Sequence, residues 1–119
     1  MKAVQISRTG GPEVLDYVDL PDPVPGKGQV LVTAAAIGVG KPDALFRTGV
    51  YRWMPPLPAI PGAEMSGRIE ALGPGVEGFT VGQKVLVYHL GGGCYAEKVA
   101  VDARDVTPLP EAIELTSAA

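Results

Sequence analysis

The sequence predicts a mainly β domain, curled into a closed or partly open barrel, with a few short helices. Apolar runs of strand length recur along the chain, and turn residues separate them, since 16 Gly and 12 Pro make up 28 of the 119 residues. Six or seven short strands divided in this way favour a barrel, because closing the sheet removes exposed strand edges. A hydrophobic content of 46% is enough to fill the core of one domain.

Two short strands and one long strand are predicted in the first third of the chain. The first covers residues 3–6 and ends before Gly10-Gly11-Pro12, and the second covers residues 14–18. The segment 21–26 cannot donate hydrogen bonds to a ladder at its three prolines, so we expect it to run extended along the surface. Residues 30–37 are apolar on both faces, which predicts a central strand buried on both sides.

A short helix is predicted over residues 42–48. Pro suits the first helical turn, Asp43 complements the positive end of the helix dipole and is expected to cap it, and Gly49 suits the end. A proline-rich loop follows over residues 51–61.

The second half of the chain returns to the β pattern. Strands are predicted over residues 67–72, 84–88 and 95–101, with a tight turn at Gly91-Gly92-Gly93 before the last. Residues 109–111 close this pattern. Residues 115–119 begin like a helix with Thr116 or Ser117 as N-cap, so we expect the chain to be entering a further element where it stops.

Composition excludes several classes of function. The net charge is −3, and no cluster of Lys or Arg offers the basic face that a nucleic-acid partner requires. The single cysteine, Cys94, cannot form an internal disulfide, and no Cys/His set has zinc spacing. The N-terminus lacks the apolar core of a signal peptide, and no run approaches membrane-spanning length. We therefore expect a cytoplasmic protein without a membrane partner.

Seven motifs, in order along nearly the whole chain, carry a family resemblance. They are Gly10-Gly11-Pro12-Glu13-Val14-Leu15, Pro25-Gly26 with Val30-Leu31-Val32, Gly38-Val39-Gly40-Lys41-Pro42-Asp43, Arg47-Thr48-Gly49-Val50-Tyr51, Pro61-Gly62-Ala63-Glu64-Met65-Ser66-Gly67, Val81-Gly82-Gln83-Lys84-Val85 and Gly92-Gly93-Cys94-Tyr95-Ala96-Glu97. In order and spacing they resemble the N-terminal domain of medium-chain dehydrogenases/reductases, specifically the zeta-crystallin-like quinone oxidoreductases.

The resemblance implies a GroES-like, partly open β barrel that packs against a Rossmann domain, with NADPH in the cleft between them. Residues 1–110 would form the GroES-like, catalytic-side domain, and residues 111–119 would start the connection to the nucleotide-binding domain, which these 119 residues lack. Gly91-Gly92-Gly93 does not replace a dinucleotide fingerprint, because a strand rather than a helix follows it. The resemblance places Gly40, Lys41 and Pro42 on the cofactor side, with Lys41 either reaching the pyrophosphate or remaining solvated.

Zinc-dependent relatives carry a Cys where this sequence has Gly40 and a His where it has Ala63. Neither Gly nor Ala can donate an electron pair to zinc, so the resemblance implies no metal ligands here. Pro42 also stands where those relatives carry a hydroxyl for proton relay. Hydride transfer to an already electrophilic acceptor requires mainly proximity and orientation, which favours a quinone or an activated enone as substrate.

Four residues are implied at the substrate pocket: Tyr51, Arg47, Trp53 and Glu64. Tyr51 is the candidate catalytic residue, because its phenol could hydrogen-bond an acceptor carbonyl or donate a proton to it. The alternatives are a Tyr51 packed on the proline loop, a Trp53 that anchors the same loop, and a Glu64 that accepts backbone N–H groups.

Two other side chains have structural interpretations. His89 is expected in a surface or packing role, and Cys94 as a small packed side chain.

Three functional classes remain open on the sequence. The favoured one is an oxidoreductase domain that is inactive alone. The enzyme to which it belongs would be a quinone or enone reductase or, as a variant that differs only in its acceptor, an enoyl reductase. The others are a free-standing GroES-like binding or chaperonin module and a non-catalytic member of the superfamily. The surface that would pack on the nucleotide-binding domain is apolar in this interpretation, so we also expect self-association into a homo-oligomer.

Overall fold

The computed structural model describes all residues, Met1–Ala119, as seven strands and two α-helices. The strands are β1 (Lys2–Gln5), β2 (Asp16–Asp19), β3 (Gln29–Ile37), β4 (Glu64–Leu72), β5 (Lys84–Tyr88), β6 (Lys98–Asp102) and β7 (Val106–Pro108), and the helices are α1 (Lys41–Thr48) and α2 (Leu115–Ala118). Single 3₁₀ turns lie at Pro12–Val14 and Ala103–Asp105. No helix is both long enough and apolar enough to cross a membrane.

The strands form a curled sheet of five, in the order β6-β3-β4-β5-β7, and a separate β1-β2 pair. Every pairing is antiparallel. Isolated bridges between Ala3 and Ala96 and between Ile6 and Ala59 join the first strand region to the rest of the domain. Two register shifts in the β3–β4 ladder, at Leu31/Val32 and Ala34/Ala36, bend the sheet. The predicted partly open barrel is confirmed.

Two apolar clusters fill the domain. The larger lies inside the curl of the five-stranded sheet and contains Val30, Val32, Met65, Ile69, Val85, Val87, Cys94, Val99, Val101 and Val106. The smaller lies beneath α1 and contains Ile6, Val14, Phe46, Tyr51 and Ala59. Valine dominates the larger cluster because β-branched side chains pack well on a pleated surface.

Strand β3 departs from its prediction in its second half. Val30, Leu31 and Val32 are buried, whereas Ala35 and Ile37 are exposed. The reason lies in the pairing, because β6 accompanies β3 only as far as Thr33 while β4 continues to Ile37. Strand β3 does have a neighbour on each side, but β4 occupies the centre of the sheet.

Several element boundaries also differ. Pro12 opens a 3₁₀ turn, so β2 begins at Asp16 and not at residue 14. Strand β6 begins at Lys98 because the preceding residues bond elsewhere, with the Tyr95 N–H donating to the Pro61 carbonyl oxygen at 2.9 Å. Strand β7, which the sequence did not predict, lies at the sheet edge, where a proline is tolerated.

The predicted capping of the last helix is wrong. Helix α2 begins at Leu115 after Glu114 as N-cap, so Thr116 and Ser117 lie within it. A hydrogen bond attaches this helix to the sheet, since the buried Ser66 hydroxyl on β4 donates to the Leu115 carbonyl oxygen.

Candidate functional site

Helix α1 follows β3 in the chain, and its start follows the predicted pattern. Gly40 is the N-cap, and its N–H donates to Oδ2 of Asp43 at 3.0 Å. Pro42 lies in the first turn, and Gly49 ends the helix in the left-handed conformation at φ 83°. The capping role predicted for Asp43 is confirmed.

Asp43 has a second hydrogen-bond donor far away in sequence. The Tyr95 hydroxyl donates to the same Oδ2 atom at 2.8 Å, although Asp43 is only 8% exposed. Burial and the neighbouring Asp43 carboxylate together raise the pKa of the Tyr95 phenol well above its ordinary value. The start of α1 is therefore fixed to the segment that precedes β6.

The segment before β6 is hydrogen-bonded to residues 60–62, which precede β4. The N–H groups of Gly93, Cys94 and Tyr95 donate to the carbonyl oxygens of Ile60, Gly62 and Pro61, at 2.7, 3.1 and 2.9 Å. Gly93 adopts a positive φ of 104°, which agrees with the predicted tight turn. These bonds bring the two glycine-containing motifs of the sequence side by side.

Tyr51 lies in a small aromatic group next to α1. Its ring centroid is 5.8 Å from that of Phe46 and 5.5 Å from that of Trp53, which it meets edge to face. Tyr51 is 9% exposed, and its hydroxyl has no hydrogen-bond partner. Burial raises the pKa of this phenol, and the nearby Tyr88 and Asp43 add to the effect. It is the one buried side-chain polar group in the chain left without a partner.

Arg47 and Gly40 meet in one small pocket. Arg47 donates from Nη1 to the Gly10 carbonyl oxygen at 2.6 Å, so it holds the loop between β1 and β2 against α1. The pocket has a volume of about 180 Å³. Asp43 and Tyr95 line it together with Arg47 and Gly40. Trp53 is 50% exposed; it packs on Tyr51 and does not line this pocket.

Glu64 and Asp43 both lie near Cys94. Glu64 is half-buried and covers Gly38 so closely that a Cβ at position 38 would be 2.5 Å from Oε1. Cys94 is fully buried, and burial, followed by the charges of Asp43 and Glu64, raises the pKa of its thiol to about 12. A thiol held protonated in this way is inert, which confirms Cys94 as a packed side chain.

Lys41 and Pro42 are both exposed at the start of α1. The ammonium group of Lys41 makes no ion pair within the chain. Ala63 is buried beside Gly62. No group of three or more His, Cys, Asp or Glu side chains is arranged to hold a metal ion.

Sequence reasoning missed two features of this region. One is the role of Tyr95, whose only local signal is its place after a glycine turn. The other is an apolar groove of about 560 Å³ between β1 and the exposed half of β3, lined in part by Ala36, Ile37 and Tyr95. His89, expected in a surface or packing role, has a carboxylate partner in Asp105, with Nδ1 2.9 Å from Oδ2.

The chain is similar to proteins of one family along its whole length. A family model described as the alcohol dehydrogenase GroES-like domain matches residues 26–111. Quinone oxidoreductase of Rattus norvegicus is 38% identical over 121 aligned residues, which include all of this chain and 36% of the relative. The chain thus spans about a third of the length of the curated relatives it matches first.

Solved structures give the same result. The quinone oxidoreductase of Pseudomonas syringae pv. Tomato DC3000 superposes with a TM-score of 0.91 and 37% identity, over 96% of this chain and 35% of that one. The Escherichia coli quinone oxidoreductase, solved in complex with NADPH, superposes with a TM-score of 0.89 and 30% identity, over 97% of this chain and 35% of that one. The resemblance carried by the seven motifs is confirmed.

Proposed function

Because this chain belongs to the alcohol dehydrogenase GroES-like domain family, we propose that it is the acceptor-side domain of an NADPH-dependent oxidoreductase that reduces a quinone or an activated enone. The similarity to quinone oxidoreductases over the whole chain supports this assignment. Residues 1–110 would form the domain and residues 111–119 would begin the connection to a Rossmann domain. That second domain would make most of the cofactor contacts.

The reaction is proposed to proceed without zinc. Gly40 and Ala63 stand where zinc-dependent relatives carry ligands, and neither side chain has a lone pair. The chain offers no cluster of acidic, His or Cys side chains suited to a metal ion. The residues present do not fit zinc. This donor set is the observation that carries the proposal.

The start of α1 fits a bound nicotinamide cofactor. When bound, NADPH supplies a hydride, and an electrophilic acceptor requires mainly proximity and orientation to receive it. Gly40 presents exposed backbone without a side chain, and Lys41 offers an unpaired cation suited to a pyrophosphate. Pro42 stiffens the first helical turn between them and Asp43. These residues would hold the cofactor from the acceptor side.

Tyr51 is proposed to hydrogen-bond the acceptor and to donate a proton to it. Its buried hydroxyl has no partner in the chain, and a quinone or enone carbonyl oxygen would accept the missing hydrogen bond. As negative charge develops on that oxygen, the same hydroxyl can donate its proton. Access requires neighbouring side chains to move, and Trp53, which packs on the ring, is half-exposed, whereas Phe46 is buried. Arg47 and Glu64 are proposed to approach the acceptor as well, Arg47 from the small pocket beside Gly40 and Glu64 from its place against Gly38.

The remaining properties follow from the same assignment. The 119-residue chain alone would be inactive, because the hydride donor would be bound mainly by the second domain. A reducing, cytoplasmic compartment is proposed, and the single free cysteine, Cys94, supports it. Exposed apolar side chains at Val39, Val50 and Trp53 support the expected domain or subunit contacts.

The test uses the protein made from the complete reading frame that contains these residues. We expect it to oxidise NADPH with 1,4-benzoquinone or a simple enone and to show no oxidation of ethanol with NADP⁺. The 119-residue chain should show neither reaction. Oxidation of ethanol at the rate of quinone reduction, or the absence of NADPH oxidation with every acceptor, would contradict the proposal.

A further inference from the structure

Tyr95 connects three segments that meet at the start of α1. Its carbonyl oxygen accepts the Val4 N–H of β1 at 2.8 Å, and its N–H donates to the Pro61 carbonyl oxygen at 2.9 Å. Its hydroxyl donates to Asp43 Oδ2 at 2.8 Å across 52 residues of sequence. The side chain thus spans the distance between the Pro61–Gly62 segment and the helix start.

We infer that Tyr95 is a positioning residue: through Asp43 its hydroxyl holds the backbone of Gly40 and the first turn of α1 in the conformation that receives the cofactor. The inference rests on the proposed function, since it deepens the role assigned to Gly40, Lys41 and Pro42. Tyr95 itself touches neither the cofactor nor the acceptor in this scheme. It acts only through Asp43.

The hydroxyl matters because Asp43 is buried. A buried carboxylate is stable only when hydrogen-bond donors surround it, and Oδ2 has two, the Gly40 N–H and the Tyr95 hydroxyl. Removing the hydroxyl leaves a nearly inaccessible carboxylate short of one donor. The carboxylate can then gain hydration only by turning outward, and in doing so it releases the Gly40 N–H.

The ring has a separate role, which allows the two to be distinguished. It packs against Gly62, where a Cβ would be 2.4 Å from Tyr95 Cδ1. A Tyr95→Phe substitution keeps this packing and removes only the hydroxyl. Tyr17 provides a matched control, because it is 72% exposed on β2 and its hydroxyl makes no hydrogen bond.

Amide hydrogen exchange in the 119-residue chain tests the coupling. With Y95F we expect the Gly40 N–H to exchange about tenfold faster while amides of the β3–β4 ladder keep their protection, since only a local bond is lost. Y17F should leave Gly40 unchanged. A folded Y95F variant with wild-type exchange at Gly40 would overturn the inference.

Kinetics of the complete protein test the consequence. We expect Y95F to raise KM for NADPH about fivefold and to change kcat less than about twofold, because ground-state binding is affected. In the background of Asp43→Asn, Y95F should raise KM for NADPH almost no further, since the carboxylate through which the Tyr95 hydroxyl acts is already replaced. Y17F should match wild type in both constants.

The outcomes separate the two proposals. A wild-type protein that fails to oxidise NADPH overturns the proposed function and this inference with it. An active wild type whose KM for NADPH is unchanged by Y95F overturns the inference alone. Full additivity of Y95F and D43N in KM would also overturn it, because the two side chains would then act independently.

Discussion

Gly62 lies directly against Tyr95, and this contact joins the two glycine motifs that flank the candidate site. A Cβ on Gly62 would be 2.4 Å from Cδ1 and 2.7 Å from the backbone nitrogen of Tyr95. Gly62 also has a φ of 100°, a conformation that residues with side chains rarely adopt. Both steric reasons require glycine here.

Gly62→Ala is therefore predicted to be strongly destabilising. Because backbone strain and a clash with backbone atoms act together, we expect the free energy of unfolding to fall by about 3 kcal/mol or more. Gly75→Ala is the matched control, since Gly75 has a φ of 79° and nothing within 4 Å of its Cβ position. It should cost about 1 kcal/mol. Urea denaturation measures both, and equal losses would contradict the assigned contact.

Tyr51→Phe is predicted to leave stability unchanged or slightly higher. The Tyr51 hydroxyl is buried without a partner, so its removal relieves a desolvation cost of about 1 kcal/mol. Y95F should instead lower stability by about 1–2 kcal/mol, because that hydroxyl is paired with a buried carboxylate. Urea denaturation distinguishes the two variants. A loss above about 1 kcal/mol for Y51F would show that its hydroxyl is already satisfied.

The Cys94 thiol is predicted to be unreactive in the folded chain. Burial raises its pKa from 9.0 to about 12, so almost no thiolate is present at neutral pH and reagents cannot reach it. At pH 8 we expect Ellman's reagent to react at most about a hundredth as fast as in the urea-unfolded chain. Rapid labelling of folded protein would mean that the segment before β6 opens readily.

Alkaline pH is predicted to destabilise the domain through Tyr95. The folded state keeps the phenolic proton above pH 10.0, its ordinary pKa, while the unfolded chain releases it. This contribution to stability is complete below the unfolded pKa and is lost as pH rises toward the higher folded pKa. Urea denaturation across this range should give a shallower decline for Y95F than for wild type. An identical decline would contradict the raised pKa.

Much of the fold was predictable because its signals are local. Pro42, Asp43 and Gly49 lie within one short helix, so their positional preferences could be interpreted directly, and helix start, cap and end follow them. Thr116 and Ser117 show the limit of the same method. They are good capping residues, but Glu114 occupies the N-cap position, and the first helical residue, Leu115, is hydrogen-bonded to the distant Ser66 hydroxyl.

The candidate site was only partly predictable, because its key contacts are distant in sequence. Tyr95 and Asp43 are 52 residues apart, and His89 and Asp105 are 16 apart. No periodicity or spacing rule connects such pairs. Alternation along β3 likewise could not show that β6 ends its pairing at Thr33 and leaves Ile37 exposed.

The central claim is that this domain supports hydride transfer without zinc, since Gly40 and Ala63 offer no ligand. The most direct measurement is the zinc content of the complete protein by inductively coupled plasma mass spectrometry. On the same sample, the rate of quinone reduction with NADPH is measured before and after dialysis against a chelator. We predict far less than one zinc ion per chain and an unchanged rate. One zinc ion per chain, with activity that is lost on chelation and returns on adding zinc, would contradict the account.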